Sequence, residues 1–132
     1  MIFIDANVFL AYDNKNDLHH AKALRLWQDI EGGKFEQYFT SDYVLNEVVG
    51  VTLRKLGKER ALKLGEHILK TVFLLNIDEH MLVEAWKEFA RTRLSLNLVD
   101  CTNLVAIKIA DAEFIATFDG EFSKLSGLKV AA

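Results

Sequence analysis

Four acidic residues of this chain are placed where carboxylates could bind a hard cation. They are Asp5, Glu47, Asp100 and Asp119. Mg²⁺ and Mn²⁺ prefer carboxylate oxygens in proteins and keep several waters for a phosphate or a nucleophile. Two unscreened carboxylates ~4 Å apart repel by about 4 kcal/mol at an effective dielectric constant of about 20. If these acids converge, their cluster therefore implies bound cations.

Two of these acids come directly after short apolar runs of the sequence. Asp5 follows Ile2–Ile4 and Asp119 follows Phe114–Phe118, and such continuous apolar runs are typical of strands that are buried on both faces. Ligands of parallel α/β sheets sit beyond the carboxyl ends of the strands. We therefore expect Asp5 and Asp119 to lie at that edge.

The other two acids lie near the starts of helices that follow strands. Glu47 is less than two turns into a helix predicted to begin near Ser41, and Asp100 opens a later helix. Both side chains could point at the same edge of the sheet. Each acid also has a plain structural interpretation: Asp5 and Asp100 as helix caps, Asp119 as a turn residue, and Glu47 as a solvated helical acid. Only the order and spacing of the whole set favour a shared site.

The alternation of apolar strands and amphipathic helices predicts an α/β domain whose mainly parallel sheet is covered on both sides. Strands are expected at residues 2–4, 37–40, 72–77, 113–118 and 128–130, and the apolar run at residues 72–77 predicts a third buried strand. Helices are expected at residues 18–30, 41–57, 58–71 and 79–93, with a last one opening at Asp100. A chain of 132 residues without proline fits a single domain over residues 1–132.

The helical periodicity also predicts which side chains face the core. We expect the inner faces to include Leu18, Leu24, Trp27, Ile30, Val44, Val48, Leu53, Leu82, Trp86 and Phe89. Both tryptophans and most phenylalanines are therefore interpreted as packing residues and not as platforms for bases. The adjacent His19 and His20 point in different directions on a helix, which favours two surface residues over a metal site. Cys101 lacks an identifiable histidine partner and fits a small buried residue.

The composition excludes several classes of protein. One cysteine rules out an intramolecular disulfide and a thiolate zinc cluster, and it favours a reducing, cytoplasmic compartment. No apolar stretch is long enough to span a bilayer, and the apolar N-terminus is interrupted too early for a secretory signal. A formal net charge of -3 disfavours a protein that coats nucleic acid through its overall charge.

One segment is basic despite the overall charge. Between Val51 and Lys70 the chain has six basic residues and two acidic ones, a local balance of +4. The residues best placed to contact an RNA backbone are Arg54, Lys55, Lys58 and Arg60. A solvated helix face and a contact with an acidic partner are the alternative interpretations.

Four segments occur in an order that carries more information than any one of them. They are Ile2–Asn7, Ser41–Val48, Asp100–Cys101 at the start of an apolar helix, and Ile115–Asp119 followed by Phe122. Together they resemble the PIN domain and, more narrowly, the VapC-type toxins of prokaryotic toxin–antitoxin pairs. The resemblance covers essentially the whole chain.

The resemblance implies a three-layer α/β/α sandwich around about five parallel strands, and a Mg²⁺- or Mn²⁺-dependent endoribonuclease. The family's acidic quartet matches Asp5, Glu47, Asp100 and Asp119, with Asn7 and Thr117 as supporting polar residues. The resemblance further implies a homodimer that acts on RNA and is held inactive by a small antitoxin covering the active-site groove. One departure is Ala6, because the family often has Thr or Ser after its first acid.

The residue types suggest how such a site would work. Asp5, Asp100 and Asp119 would hold one cation directly, with Glu47 as a ligand to that cation, to a second one or to a bound water. A haloacid dehalogenase-like phosphatase would need a second Asp where the chain has Asn7. A receiver domain would need an acidic pair and a later Lys, and nucleotide hydrolysis would need a GxxxxGK loop; none of these is evident. The main alternative is a catalytically silent PIN-like module that only binds RNA or protein.

Overall fold

The computed structural model describes residues 1–132 and contains one five-stranded sheet. Its strands are β1 (Ile2–Ile4), β2 (Tyr38–Ser41), β3 (Phe73–Leu75), β4 (Phe114–Ala116) and β5 (Lys129–Ala131). They lie side by side in the order β3-β2-β1-β4-β5, and every neighbouring pair is parallel. The parallel sheet predicted from the sequence is confirmed.

Six α-helices connect the strands. They are α1 (Ala6–Asp13), α2 (His20–Glu31), α3 (Asp42–Leu56), α4 (Lys58–Thr71), α5 (Glu79–Arg91) and α6 (Leu98–Ala110), and a short 3₁₀ helix spans Gly120–Lys124. The crossovers through α1 to α4 lead from β1 to β2 and on to β3, whereas α5 and α6 return the chain to β4 beyond β1. Since such crossovers are right-handed, the first four helices cover one face and the last two cover the other. This arrangement is the expected α/β/α sandwich.

β1 is the most deeply buried strand of the sheet. Ile2, Phe3 and Ile4 are all fully buried, because β1 lies in the centre with helices on both faces. Phe3 packs edge-on against Phe39 of β2, with ring centroids 5.3 Å apart. On its other side β1 pairs with β4, where Ile4 lies opposite Ala116. The ends of β1 and β4 therefore meet at the same edge of the sheet.

β3 is not the buried strand that its apolar sequence predicts. It forms an edge of the sheet, where Phe73 is 68% exposed and the next two residues are half-buried. An edge strand has a neighbour on one side only, so its apolar side chains are not all covered. The prediction of a third buried strand is therefore wrong in this respect.

Several apolar side chains that were expected to face the core lie on the surface. Leu18 is 92% exposed because α2 begins at His20 and leaves this residue in the preceding turn. The other exposed ones are Leu24, Leu53, Trp86 and Phe89. In α5 the core-facing positions are filled by Met81 and Ala85, so Trp86 points outward one residue further around the helix. An apolar period alone does not show which side of a helix is covered.

The apolar periodicity does not predict α1, and only the interpretation of Asp5 as a helix cap indicated a helix that starts directly after it. Ala6, Val8, Phe9 and Ala11 are all buried, so α1 is covered on most sides and has little amphipathic period. Its first residues are thereby held next to the end of β1. None of the six helices combines the length and apolar character needed to cross a membrane.

The two tryptophans provide a test of these positions. Trp27 is buried and packs against Phe9, Tyr12 and Tyr38, whereas Trp86 is 59% exposed. Trp27→Ala should lower the free energy of unfolding by about 3–5 kcal/mol because it opens a large cavity. Trp86→Ala should change it by no more than about 0.5 kcal/mol. Urea unfolding followed by circular dichroism measures both values, and equal losses would contradict the two placements.

Candidate active site

The four acids lie at the carboxyl edge of the sheet on different elements. Asp5 directly follows β1, and Asp119 lies three residues after the end of β4. Glu47 lies in the second turn of α3 and Asp100 in the first turn of α6, and these two helices contact each other. Asp100 acts electrostatically on both Asp5 and Glu47, and Asp119 acts on Asp100. The acids are therefore close enough to influence one another's ionisation.

Asp5 is the most buried of the four. Its Oδ1 accepts a hydrogen bond from the backbone N–H of Ala6 at 2.8 Å and one from Asn103 Nδ2 at 3.3 Å. Its Oδ2 accepts from Thr117 Oγ1 at 2.7 Å and from Asn7 Nδ2 at 3.3 Å. Donors from α1, α6 and the end of β4 thus hold both oxygens of a carboxylate that is only 6% exposed.

Asn7 and Thr117 join the ends of β1 and β4 around this carboxylate. Asn7 Nδ2 also donates to Thr117 Oγ1 at 3.1 Å, and Asn7 Oδ1 accepts from the backbone N–H of Phe118 at 3.1 Å. Thr117 Oγ1 accepts a further bond from the backbone N–H of Asp119 at 3.1 Å. These bonds fix Asp5 relative to the segment that carries Asp119.

Burial makes the carboxyl group of Asp5 easier to protonate than in water. Its pKa is raised to about 6, chiefly because burial removes hydration from the charged form. The hydrogen bonds from Thr117 and Ala6 limit the rise, and the charges of Asp100 and Glu47 add to it. The donors around Asp5 therefore compensate its charge only in part.

The pKa values of Glu47 and Asp100 are also raised. Loss of hydration raises the pKa of Glu47, and the charge of Asp100 raises it further. Loss of hydration also raises the pKa of Asp100, opposed by a bond from the backbone N–H of Asn97 and increased by the charge of Asp119. Negative charge therefore accumulates at this edge beyond what the surrounding donors offset.

None of the four acids has a basic partner. The eight ion pairs of the protein all involve other residues. Carboxylate oxygens are the ligands that Mg²⁺ and Mn²⁺ prefer, and a bound cation would offset their repulsion. The chemistry of this set of side chains therefore fits a divalent cation.

The carboxylates do not form a ready-made cage around one point. No three His, Cys, Asp or Glu side chains lie close enough together to hold a metal ion. Asp100 Oδ2 accepts from the backbone N–H of Asn97 at 2.9 Å, and Asp119 Oδ1 accepts from that of Glu121 at 3.0 Å. Asp100 thus takes part in the cap of α6, as its structural interpretation predicts, and Asp119, expected as a turn residue, caps the 3₁₀ helix. Repulsion between like charges favours such separate contacts.

One residue of the site was not singled out from the sequence. Asn103 is fully buried in α6, and its Nδ2 reaches Asp5 Oδ1. It follows Asp100 by three residues, which places both on the same face of the helix. That spacing was the available signal in the sequence.

Three of the four residues predicted to contact RNA are exposed and outside the ion pairs of the protein. Arg54, Lys55 and Lys58 surround the turn between α3 and α4. Arg60 instead donates to the carboxylate and to the backbone carbonyl of Asp13, at 2.8 Å in each case. The structure therefore leaves three of these side chains free and engages the fourth.

The two histidines are not the free surface residues that the sequence predicts. His19 stacks on Phe118 with ring centroids 4.6 Å apart, and His20 Nδ1 lies 2.7 Å from the carbonyl oxygen of Ala11. Both histidines are half-buried, because the start of α2 folds back against α1 and the end of β4. Cys101 is fully buried, as predicted.

A sequence model of the PIN domain matches residues 2–128 of this chain. The chain belongs to the PIN-domain family. The match includes all four acids and nearly the whole sheet, and it confirms the resemblance drawn from the sequence. Comparison with curated proteins gives no significant match.

Solved structures share the fold of this PIN domain. VapC20 of Mycobacterium tuberculosis, described as a sarcin–ricin loop cleaving toxin, is 26% identical over 94% of each chain, with a TM-score of 0.84. VapBC2 of Rickettsia felis, bound to a promoter DNA fragment, is 17% identical over 99% of this chain and 98% of that one, with a TM-score of 0.71. DNA-bound VapBC of Salmonella typhimurium is 16% identical over 98% and 96%, with a TM-score of 0.71. The last two likenesses concern the fold alone.

The raised pKa of Asp5 predicts a pH dependence of stability in the metal-free PIN domain. An unfolded Asp releases its proton at about pH 3.9, whereas folded Asp5 holds its proton up to about pH 6. The folded state therefore binds more protons in this window, and the free energy of unfolding falls as the pH rises through it. A shift of roughly two units corresponds to about 3 kcal/mol.

We expect Asp5→Asn to remove most of this contribution. In EDTA, the variant should lose less stability than the wild type between about pH 4 and about pH 7, by about 2–3 kcal/mol. Urea unfolding at the two pH values measures the difference. Asp29→Asn, an exposed acid paired with Lys34, is the control. A pH dependence identical in the wild type and Asp5→Asn would contradict the assigned pKa.

Proposed function

We propose that this PIN domain is a metal-dependent endoribonuclease and the toxin of a type II toxin–antitoxin pair. The observation that carries the proposal is the set of four acids at the carboxyl edge of the sheet, which have no basic partner and are linked by charge repulsion through Asp100. Further support comes from VapC20, which is 26% identical over 94% of this chain and is described as a toxin that cleaves the sarcin–ricin loop.

In this proposal the four acids have different roles as ligands of Mg²⁺ or Mn²⁺. Asp5, Asp100 and Asp119 would hold one ion, and Glu47 would bind that ion, a second ion or a bound water. A bound divalent cation stabilises charge on a scissile phosphate and lowers the pKa of a water. The polar residues around Asp5 fix its carboxylate in advance, which limits the reorganisation that binding requires. Because the raised pKa values of Asp5, Glu47 and Asp100 mean that these three hold protons more tightly than in water, cation binding releases protons.

The proposal predicts cation-dependent cleavage of a structured RNA by the purified protein. Cleavage should require Mg²⁺ or Mn²⁺ and stop in EDTA. Asp5→Asn, Glu47→Gln and Asp100→Asn should each lower the rate by about 100-fold or more while circular dichroism shows an intact fold. Asp29→Asn is the matched control and should cleave like the wild type.

The possible results separate the two candidate functions. Cleavage that survives both Asp5→Asn and Asp100→Asn would exclude the assigned site. RNA binding without cleavage in the presence of either cation would favour the catalytically silent module. Loss of cleavage in the acid variants alone would support the nuclease.

We also propose that the exposed basic residues at the α3–α4 turn contact the RNA backbone. Arg54 follows Glu47 by about two turns on the same face of α3, about 10 Å along the helix axis. Its Nη1 lies 3.5 Å from the position that a Cβ would take at Gly50, so the side chain runs back along the helix toward Glu47. Lys55 and Lys58 extend the positive surface beside it.

Replacing Arg54, Lys55 and Lys58 by Ala should raise KM for RNA and leave kcat nearly unchanged, because contacts with distant phosphates stabilise bound substrate and transition state alike. The slope of log affinity against log salt on a single strand should fall by about 0.7 per lost contact. The double variant Lys22→Ala/Arg25→Ala removes exposed charges of α2 and is the control. An unchanged KM and salt slope in the triple variant would exclude this surface.

We propose a cognate antitoxin and a second copy of the chain as protein partners. A nuclease that acts on its own cell's RNA requires an inhibitor, and the acidic edge is the surface that an inhibitor has to cover. Trp86 and Phe89 form an exposed aromatic pair on α5, with ring centroids 5.9 Å apart, and large exposed apolar groups are typical of protein contacts. The proposed compartment is the cytoplasm, where the RNA substrates are.

A further inference from the structure

We infer that Asn103 is a positioning residue that holds Asp5 for cation binding. This role rests on the proposed metal-dependent function and adds a side chain of α6 to the site. Asn103 touches neither cation nor RNA in this assignment. It acts through the carboxylate of Asp5.

The amide of Asn103 is bound at one end and unpartnered at the other. Its Nδ2 donates to Asp5 Oδ1 at 3.3 Å, whereas its Oδ1 has no hydrogen-bond donor although the side chain is fully buried. Buried amide groups are nearly always paired, and an unpaired one destabilises the fold. A leucine, which has the same branched arrangement of heavy atoms, would avoid the unpaired oxygen. Packing therefore does not account for an amide at this position, whereas the bond to Asp5 does.

The donors of Asp5 differ in what they do if one of its oxygens turns to a cation. Asn7 Nδ2 has a second acceptor, Thr117 Oγ1, at 3.1 Å, so Asn7 keeps a partner when it releases Asp5 Oδ2. Asn103 Nδ2 bonds to Asp5 Oδ1 alone. Release of Oδ2 also frees the hydroxyl of Thr117, which donates to it at 2.7 Å, but a hydroxyl can rotate to another acceptor. Release of Oδ1 would instead leave the amide of Asn103 unpaired. Asn103 accordingly retains Oδ1 and leaves Oδ2 as the oxygen available to an ion.

The same bond links two acids through the fold. Asn103 lies one turn after Asp100 in α6, and Asp5 ends the central strand β1. The bond between Asn103 and Asp5 therefore ties the beginning of α6 to β1. Through this tie it sets the position of Asp100 relative to Asp5.

Mn²⁺ binding to the purified protein, measured by isothermal titration calorimetry without RNA, tests this role. Asn103→Leu keeps the number and branching of the side-chain heavy atoms and removes the donor. It should weaken Mn²⁺ binding by about tenfold or more, the range found for residues that orient metal ligands. Its melting temperature in EDTA should stay close to that of the wild type, because removal of the unpaired oxygen offsets the loss of one donor to Asp5. A structural role would instead lower the melting temperature and leave Mn²⁺ affinity unchanged.

Thr102→Val is the matched control. Thr102 is a buried neighbour in α6 whose hydroxyl donates to the carbonyl of Val99 and forms no hydrogen bond with an acid. The control should bind Mn²⁺ like the wild type. In Asn103→Leu, RNA cleavage lost at low Mn²⁺ should recover as the Mn²⁺ concentration rises, which supports a defect in affinity.

Asn103→Ala decides the question if the leucine variant does not fold, since it also removes the donor and should weaken Mn²⁺ binding similarly. Wild-type affinity in either folded variant would overturn the positioning role and leave the nuclease proposal intact. Failure of the wild type itself to bind Mn²⁺ would overturn both.

Discussion

The buried carboxylate of Asp5 is the constraint on which the rest of the structure depends. It ends a fully buried central strand and loses most of its hydration there, and such burial is tolerated only where donors replace water. Donors from α1, α6 and the end of β4 do so. The helices and the strand that carry these donors must therefore converge on the carboxylate of Asp5. The pKa of Asp5, raised to about 6, shows that their compensation is incomplete.

The strand order makes that meeting possible. β2 and β3 extend from β1 in one direction, and the chain then crosses to β4 and β5 on the other side. The direction of winding reverses between β1 and β4, and the crevice at such a point is where α/β proteins bind ligands. Asp5 and Thr117 stand on either side of this crevice, in the register set by the pairing of Ile4 with Ala116. The strand order thus determines where the site lies, and the side chains at that place determine its chemistry.

Features that depend on residues close together in the chain could be predicted from the sequence. Features that depend on contacts between distant parts of the chain could not. An apolar run ending in Asp5 indicates a buried strand and an acid at its edge, and Asn7 and Thr117 lie within two residues of acids in the chain. Asn103 is an isolated amide in an apolar helix, and it gains a role only when α6 packs beside β1. The exposure of Trp86 was missed because an apolar period does not tell which side of a helix the chain covers. The apolar pattern did not predict α1 for the opposite reason, since burial on most sides removes the period.

The net charge of -3 conceals two opposite surfaces. Without the four acids the chain would carry +1. Three of its unpaired basic side chains, Arg54, Lys55 and Lys58, lie around the turn at the end of α3, the helix that also carries Glu47. A polyanion is attracted to the basic surface and repelled by the acidic edge until cations neutralise that edge. Bound cations would therefore act twice, by relieving repulsion among the carboxylates and by allowing a phosphate to approach them. The incomplete compensation at Asp5 destabilises the metal-free fold, and it is also what makes this edge attract a cation, as expected where stability and activity make opposing demands on the same residues.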